Sequence, residues 1–174
     1  MLQRLNKLTD GLLKIGLAAG LLLAPGAGRI APAFGAADGK PIGGIQCERQ
    51  EYGDFHIHAH LDIFVDGKPY AVPPQVGIIP AEKCLYWMHT HDGSGIIHIE
   101  APKKRAFTLA QFFSIWKATG EGAPARKEAP KVFVNGKMVN RPLDKIELGP
   151  LMEIVVVYGK EPASVPSSYE FPKG

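Results

Sequence analysis

The sequence predicts a β-rich α+β domain: a mostly antiparallel sheet of about five to seven strands with one helix packed on it. Three observations carry this. Residues 55 to 65 alternate apolar and polar side chains without a break. Twenty Gly and fifteen Pro punctuate the chain at short intervals, which favours strands and turns over long helices. One segment, residues 107 to 119, has helical spacing with a start and a stop signal.

The first 37 residues stand apart from that domain. They begin with Arg4, Lys7 and Lys14, continue with an apolar stretch from Ile15 to Ala27, and end in small residues from Ala33 to Ala37. This is the layout of a secretory signal peptide. The apolar stretch is short and Gly-rich for a membrane span, so an uncleaved anchor is the weaker alternative. No cysteine follows it closely, which argues against a bacterial lipid anchor. The expected address is exported, periplasmic or extracellular, with no stable membrane span after cleavage.

That segment carries four basic residues and one acidic one, leaving sixteen of each sign in the remainder. A near-neutral domain excludes a nucleic-acid partner held by bulk charge. The run Lys103, Lys104, Arg105 reads as a solvated loop. Cys47 and Cys84 are the only cysteines. In an exported chain such a pair predicts a disulfide, worth about 3–4 kcal/mol in the chain-entropy account. The rival reading, two metal-bound thiolates, ranks second because the residues lie far apart and lack a C-x-x-C spacing.

Residues 38 to 53 are Gly-rich and polar and read as a lead-in loop. A single β-rich domain is expected from 54 to 174, with histidine-bearing hairpins at 54 to 102. In "FHIHAHLDIFV" the odd positions Ile57, Ala59, Leu61, Ile63 and Val65 are apolar. The even positions are His56, His58, His60, Asp62 and Phe64. Period two with one apolar side predicts a strand lying on a core. "VDGK" is a type I′ turn signal, because Asp-Gly tolerates positive φ. "PYAVPPQVGIIP" returns as a Pro-limited strand, suited to an edge.

"CLYWMHTHDGSGIIHIE" (84 to 100) reads as a second hairpin with Gly93-Ser94 at the centre of a type II′ turn. In that register His91 faces Ile96, Thr90 faces Ile97 and His89 faces His98. His89, His91, His98 and Glu100 then share one side of the hairpin. In the helix, Thr108 and Gln111 make a capping box and Gly120 stops it. Leu109, Phe112, Phe113 and Trp116 form its core side. Strands are expected within 131 to 158, around an Asn135-Gly136 turn, and a Pro- and Ser-containing tail from 160 to 174 is expected to lie loosely on the surface.

The six histidines, His56, His58, His60, His89, His91 and His98, all fall between residues 56 and 98. Alternation places the first three on one side of a strand; the hairpin register does the same for the others. If the strands are neighbours, the imidazoles share a face. Neutral imidazole is a good ligand for Zn(II), Cu(II) and Fe(II), and three such ligands leave a coordination position open. His89, His91 and His98 are the best first set, with His58 and His60 completing it or building a second. Asp62, Glu100 and Asp92 are candidate further ligands or carboxylates that orient imidazoles. With no free thiolate expected, the donors suit copper or zinc, with iron possible, and the affinity order places copper ahead. Loss of metal is expected below about pH 6, as protons compete for ordinary imidazole.

Three readings follow: a metal-binding protein, a metalloenzyme (zinc hydrolase or copper or iron oxidoreductase) on the same ligands, and a non-metal module whose histidines hydrogen-bond within the sheet. No G-x-S-x-G elbow, H-E-x-x-H helix, phosphate loop or dinucleotide fingerprint is present. Ser94 is a turn residue before it is a nucleophile.

The motif "HTHDGSGIIHIE", with "HIHAHLDIFVDGK" before it and "FTLAQFF" after it, resembles a family of uncharacterised exported prokaryotic proteins. The resemblance spans residues 52 to 116 and implies that the histidine segments and the helix form one unit. It implies no activity. The C-terminal "VFVNGK…IVVVYG" is similar in pattern to small β-grasp-like modules.

Overall fold

The computed structural model describes residues 39 to 173 apart from 121 and 125; the expected signal peptide lies outside the described residues. In chain order the strands are β1 (Cys47–Glu48), β2 (Phe55–Val65), β3 (Lys68–Tyr70), β4 (Ile78–Ile79), β5 (Cys84–Tyr86), β6 (Met88–His89), β7 (Ile96–Ala101), β8 (Lys131–Val134), β9 (Lys137–Val139) and β10 (Met152–Tyr158). The helix α1 (Leu109–Thr119) lies between β7 and β8.

A seven-stranded sheet runs β6-β7-β2-β10-β8-β9, with β3 added to the end of β2. A smaller sheet runs β1-β5-β4. The fold is therefore β-rich α+β, as the sequence predicts. The pairing at the centre is less local than the sequence pattern: β10 lies parallel to β2, with Glu153 opposite His60. Every other pairing in the large sheet is antiparallel. A parallel pair needs a long crossover, and the chain from β3 to β9 supplies it.

Alternation decides which side of β2 is buried. Ala59, Leu61 and Ile63 enter the main core with Ile97, Ile99, Ile154, Val156 and the helix residues Leu109, Phe112, Ile115 and Trp116. Ile115, not Phe113, completes the buried helix face; Phe113 packs at its margin. The capping box is present in both directions: the Gln111 amide donates to the Thr108 hydroxyl oxygen and the Thr108 amide donates to Gln111 Oε1. Both Asx-Gly hairpins have the positive φ pair of a type I′ turn, at Asp66-Gly67 and Asn135-Gly136.

Three expectations are revised. The hairpin over 84 to 100 has the expected register where it pairs, with Met88 opposite Ile99 and His89 opposite His98. It then splays. Thr90 turns away and bonds Val76 and Gln75 through its backbone, while its hydroxyl bonds Pro73 and Val76. The ladder pairs Thr90–Ile97 and His91–Ile96 are not made; Ile96 and Ile97 pair only with β2. The positive φ falls at Gly95, not Gly93, and a Cβ at Gly95 would stand 2.7 Å from the Leu61 carbonyl oxygen.

The lead-in segment is more than a loop. It contains β1, and Ile45 and Cys47 are fully buried. The Cys47–Cys84 disulfide fastens β1 to the β4–β5 sheet across 37 residues. The tail is also packed. Val165 covers Phe133, Val155, Val157 and Phe64 on the sheet side away from the helix, and Tyr169 lies on His60. Those apolar residues gain from being removed from water, and among the described residues Val165 packs on them.

Candidate metal centre

Strand pairing builds the site. β7 is antiparallel to both β2 and β6, so His98 has His58 directly opposite on one side and His89 on the other. Direct partners place Cβ atoms roughly 4.5–5.5 Å apart. His56 follows on β2 beside Glu100 of β7. His91, beyond the end of β6, folds back so that its ring meets that of His98 edge-on at 4.4 Å between centroids. Five of the six imidazoles and Glu100 thus form one continuous patch on the side of the sheet opposite α1.

The nitrogens converge in two overlapping sets. In the first, donor atoms of His89, His91, His98 and Glu100 all lie within 4.8 Å of one another. In the second, those of His56, His58 and His98 do so. The individual separations are His56 Nε2–His58 Nε2 2.9 Å, His58 Nε2–His98 Nδ1 3.1 Å and His89 Nε2–His91 Nε2 3.2 Å. Glu100 Oε1 stands 3.2 Å from His56 Nε2 and 3.5 Å from His98 Nδ1. Four ligands at 2.0–2.1 Å around one tetrahedral ion would be about 3.3 Å apart, so the spacing fits the chemistry.

Hydrogen bonding alone serves these groups poorly. A neutral ring nitrogen carries either a proton or a lone pair. His58 Nε2 faces two other ring nitrogens and completes only one good bond with them. His89 is fixed more tightly. It is fully buried, and its Nδ1–H donates to the Tyr86 carbonyl at 2.9 Å. That bond selects the tautomer and leaves the Nε2 lone pair facing His91, as oriented metal ligands require. Burial pushes the His89 pKa down to about 4, and burial followed by the neighbouring His98 and His56 lowers that of His58. Both rings are held neutral.

Glu100 is 3 % exposed, beside the His56 and His98 rings. Burial works against its charge, but the His98 hydrogen bond and the nearby rings outweigh this, and its carboxyl stays below the usual range. Its Oε2 is buried with no hydrogen-bond partner among the described residues. A buried anion in this position calls for a cation.

His60 is placed differently. Its Nδ1 meets Glu153 Oε2 at 2.7 Å and its Nε2 meets the Ser94 carbonyl at 2.9 Å. Both partners are oxygen acceptors, so both nitrogens carry protons and neither offers a lone pair. Burial opposes this charge, yet the bond and charge of Glu153 raise the pKa. Tyr169 stacks on the ring at 3.7 Å between centroids. Asp62 is grouped with His60 and Glu153, away from the five-histidine patch. Asp92 is exposed and its Oδ1 accepts the Ser94 amide, as a turn residue does.

Two residues of the neighbourhood have no signal in the histidine pattern. Glu51, in the lead-in segment, stands 3.4 Å from His91 Nε2. Glu153 is the single charged residue in the apolar strand "MEIVVVY", and a carboxylate there signals a buried partner. Searches for similar proteins found no matching family model, curated protein or solved structure.

Proposed function

We propose that this chain is an exported protein that binds a divalent transition ion through His89, His91, His98 and Glu100. The observation that carries the reading is the convergence of those four donors, one of them a buried carboxylate whose Oε2 has no hydrogen-bond partner among the described residues. The Tyr86 carbonyl behind His89 supports it, because it aims the lone pair. Copper(II) is the favoured ion, ahead of zinc(II). The donors are imidazole and carboxylate, both cysteines are tied in the disulfide, and copper stands above zinc in the affinity order. Export is supported by the disulfide and by the basic-apolar-small layout of residues 1 to 37. No helix among the described residues is long and apolar enough to cross a membrane.

Binding or transfer of the ion is favoured over catalysis. The patch reaches solvent at His56 and His91, 42 % and 43 % exposed.

The test is titration of tag-free, chelator-stripped chain with Cu(II) and Zn(II), followed calorimetrically and by elemental analysis after gel filtration. Stoichiometric binding that weakens at least about 100-fold in His91→Ala, comparable to or beyond the loss of an orienting group, is expected. His91 is half-exposed, so the variant should fold. Absence of stoichiometric ion, or binding indifferent to His91→Ala, would overturn the assignment.

A further inference from the structure

We propose that the patch is a seat for two ions, with the Glu100 carboxylate shared between them. This rests on the metal-binding reading above and extends it. The patch holds more donors than one ion uses. A four-coordinate ion takes His89, His91, His98 and Glu100, which leaves His56 and His58. Their Nε2 atoms are 2.9 Å apart, and His58 Nε2 is 3.1 Å from His98 Nδ1. These three nitrogens make a second ligand face on their own.

The assignment of donors follows from the contacts. The second ion takes His56 Nε2, His58 Nε2 and His98 Nδ1. Glu100 Oε1 lies beside two of those nitrogens, at 3.2 and 3.5 Å. The same carboxylate belongs to the His89–His91 set, and its Oε2 is buried without a partner. One oxygen for each ion satisfies both atoms, and carboxylate-bridged pairs hold their ions about 3.5–4 Å apart. The first ion keeps His89, His91 and Glu100. It has an additional carboxylate within reach, because Glu51 Oε1 is 3.4 Å from His91 Nε2. His98 passes from the first ion to the second as the second loads. Two cations around one carboxylate repel each other, so the second equivalent binds more weakly than the first.

The neighbouring His60, Asp62 and Glu153 group adds no third seat. His60 has both nitrogens engaged by oxygen acceptors.

The experiment uses the tag-free full-length chain, stripped with chelator and titrated with Cu(II). Elemental analysis at saturation should give two ions per chain, in two phases of the isotherm. The first equivalent should give a full electron paramagnetic resonance signal. The second should diminish or broaden it, as two coupled Cu(II) ions do. His56→Ala, at a half-exposed position, should remove one equivalent and restore the uncoupled signal. Glu100→Gln should uncouple the ions.

Saturation at one ion, unchanged by His56→Ala, would overturn the pair and leave the single-ion reading standing. Two ions whose signals integrate fully and independently would overturn the shared carboxylate. No stoichiometric copper at all would remove both readings together.

Discussion

His58 and His60 stand two residues apart on one side of one strand, and their surroundings are opposite. His58 faces other imidazoles, His56 at 2.9 Å and His98 at 3.1 Å. His60 faces two oxygens, one from Glu153 and one from Ser94. One ring is kept neutral with its lone pair turned towards others. The other has both nitrogens turned to oxygens, its pKa raised by Glu153, and is capped by Tyr169. Glu100 and Glu153 mirror them, each with one oxygen lacking a partner among the described residues. Glu153 bonds one ring, that of His60; Glu100 stands beside the rings of His56 and His98. A histidine's role is set by what the neighbouring strand places opposite it, and the strand's own pattern is the same for both.

The largest expected effect separates the two on stability. His60→Ala leaves Glu153 buried and unpaired, a loss of about 3–5 kcal/mol, measured by urea unfolding. Its copper stoichiometry should match the wild type. His58→Ala should do the reverse: near-unchanged unfolding of the metal-free chain, with the second copper equivalent weakened about 10–100-fold or more. If both variants lose metal equally, the two histidines do not differ as described.

Acid sharpens the contrast next, because the shifts have opposite signs. A histidine with a lowered folded pKa resists protonation in the folded chain, so folding weakens as pH falls from about 6.5. His89, at about 4, removes about 3 kcal/mol over that interval. His60 has a raised pKa. Its contribution is complete below the unfolded value near 6.5 and is lost as pH rises through the folded value. Unfolding of the metal-free chain at several pH values should therefore show two trends. The penalty of His60→Gln should be larger at pH 5 than at pH 9. His89→Gln should flatten the acid limb. A His60→Gln penalty that grows towards alkaline pH would contradict the assignment.

The same lowered values revise the pH range for metal. Ordinary imidazole loses its ion near pH 6. His58 and His89 compete with protons only at lower pH, so copper should be retained below pH 6 in equilibrium dialysis. The smallest effect concerns the cap. Tyr169→Ala should cost about 0.5–1.5 kcal/mol, lower the His60 pKa as followed by NMR titration, and leave copper binding unchanged.

Much of this was legible locally. Eleven alternating residues determine which side of β2 is core. The register of β6 on β7 was read from a turn centred on Gly93-Ser94, and the pairing holds although the positive φ falls at Gly95. The capping box placed the helix start. Other features depend on partners far along the chain. Glu153 comes to His60 from 93 residues away through a parallel pairing, which no hairpin pattern encodes. Thr90 leaves the hairpin because residues 73 to 76 need its hydrogen bonds. Glu51 lies in a segment without periodicity, and Tyr169 in a tail that reads as surface. The sheet face was thus readable, whereas the division of its histidines into two roles was not.

The most direct measurement is metal-edge X-ray absorption on tag-free chain carrying one equivalent of Zn(II), a probe with no geometric preference of its own. Three imidazole nitrogens and one carboxylate oxygen at about 2.0–2.1 Å are expected, with outer-shell scattering from the rings. A shell of oxygen alone, or zinc that washes away on gel filtration, would contradict the proposed centre.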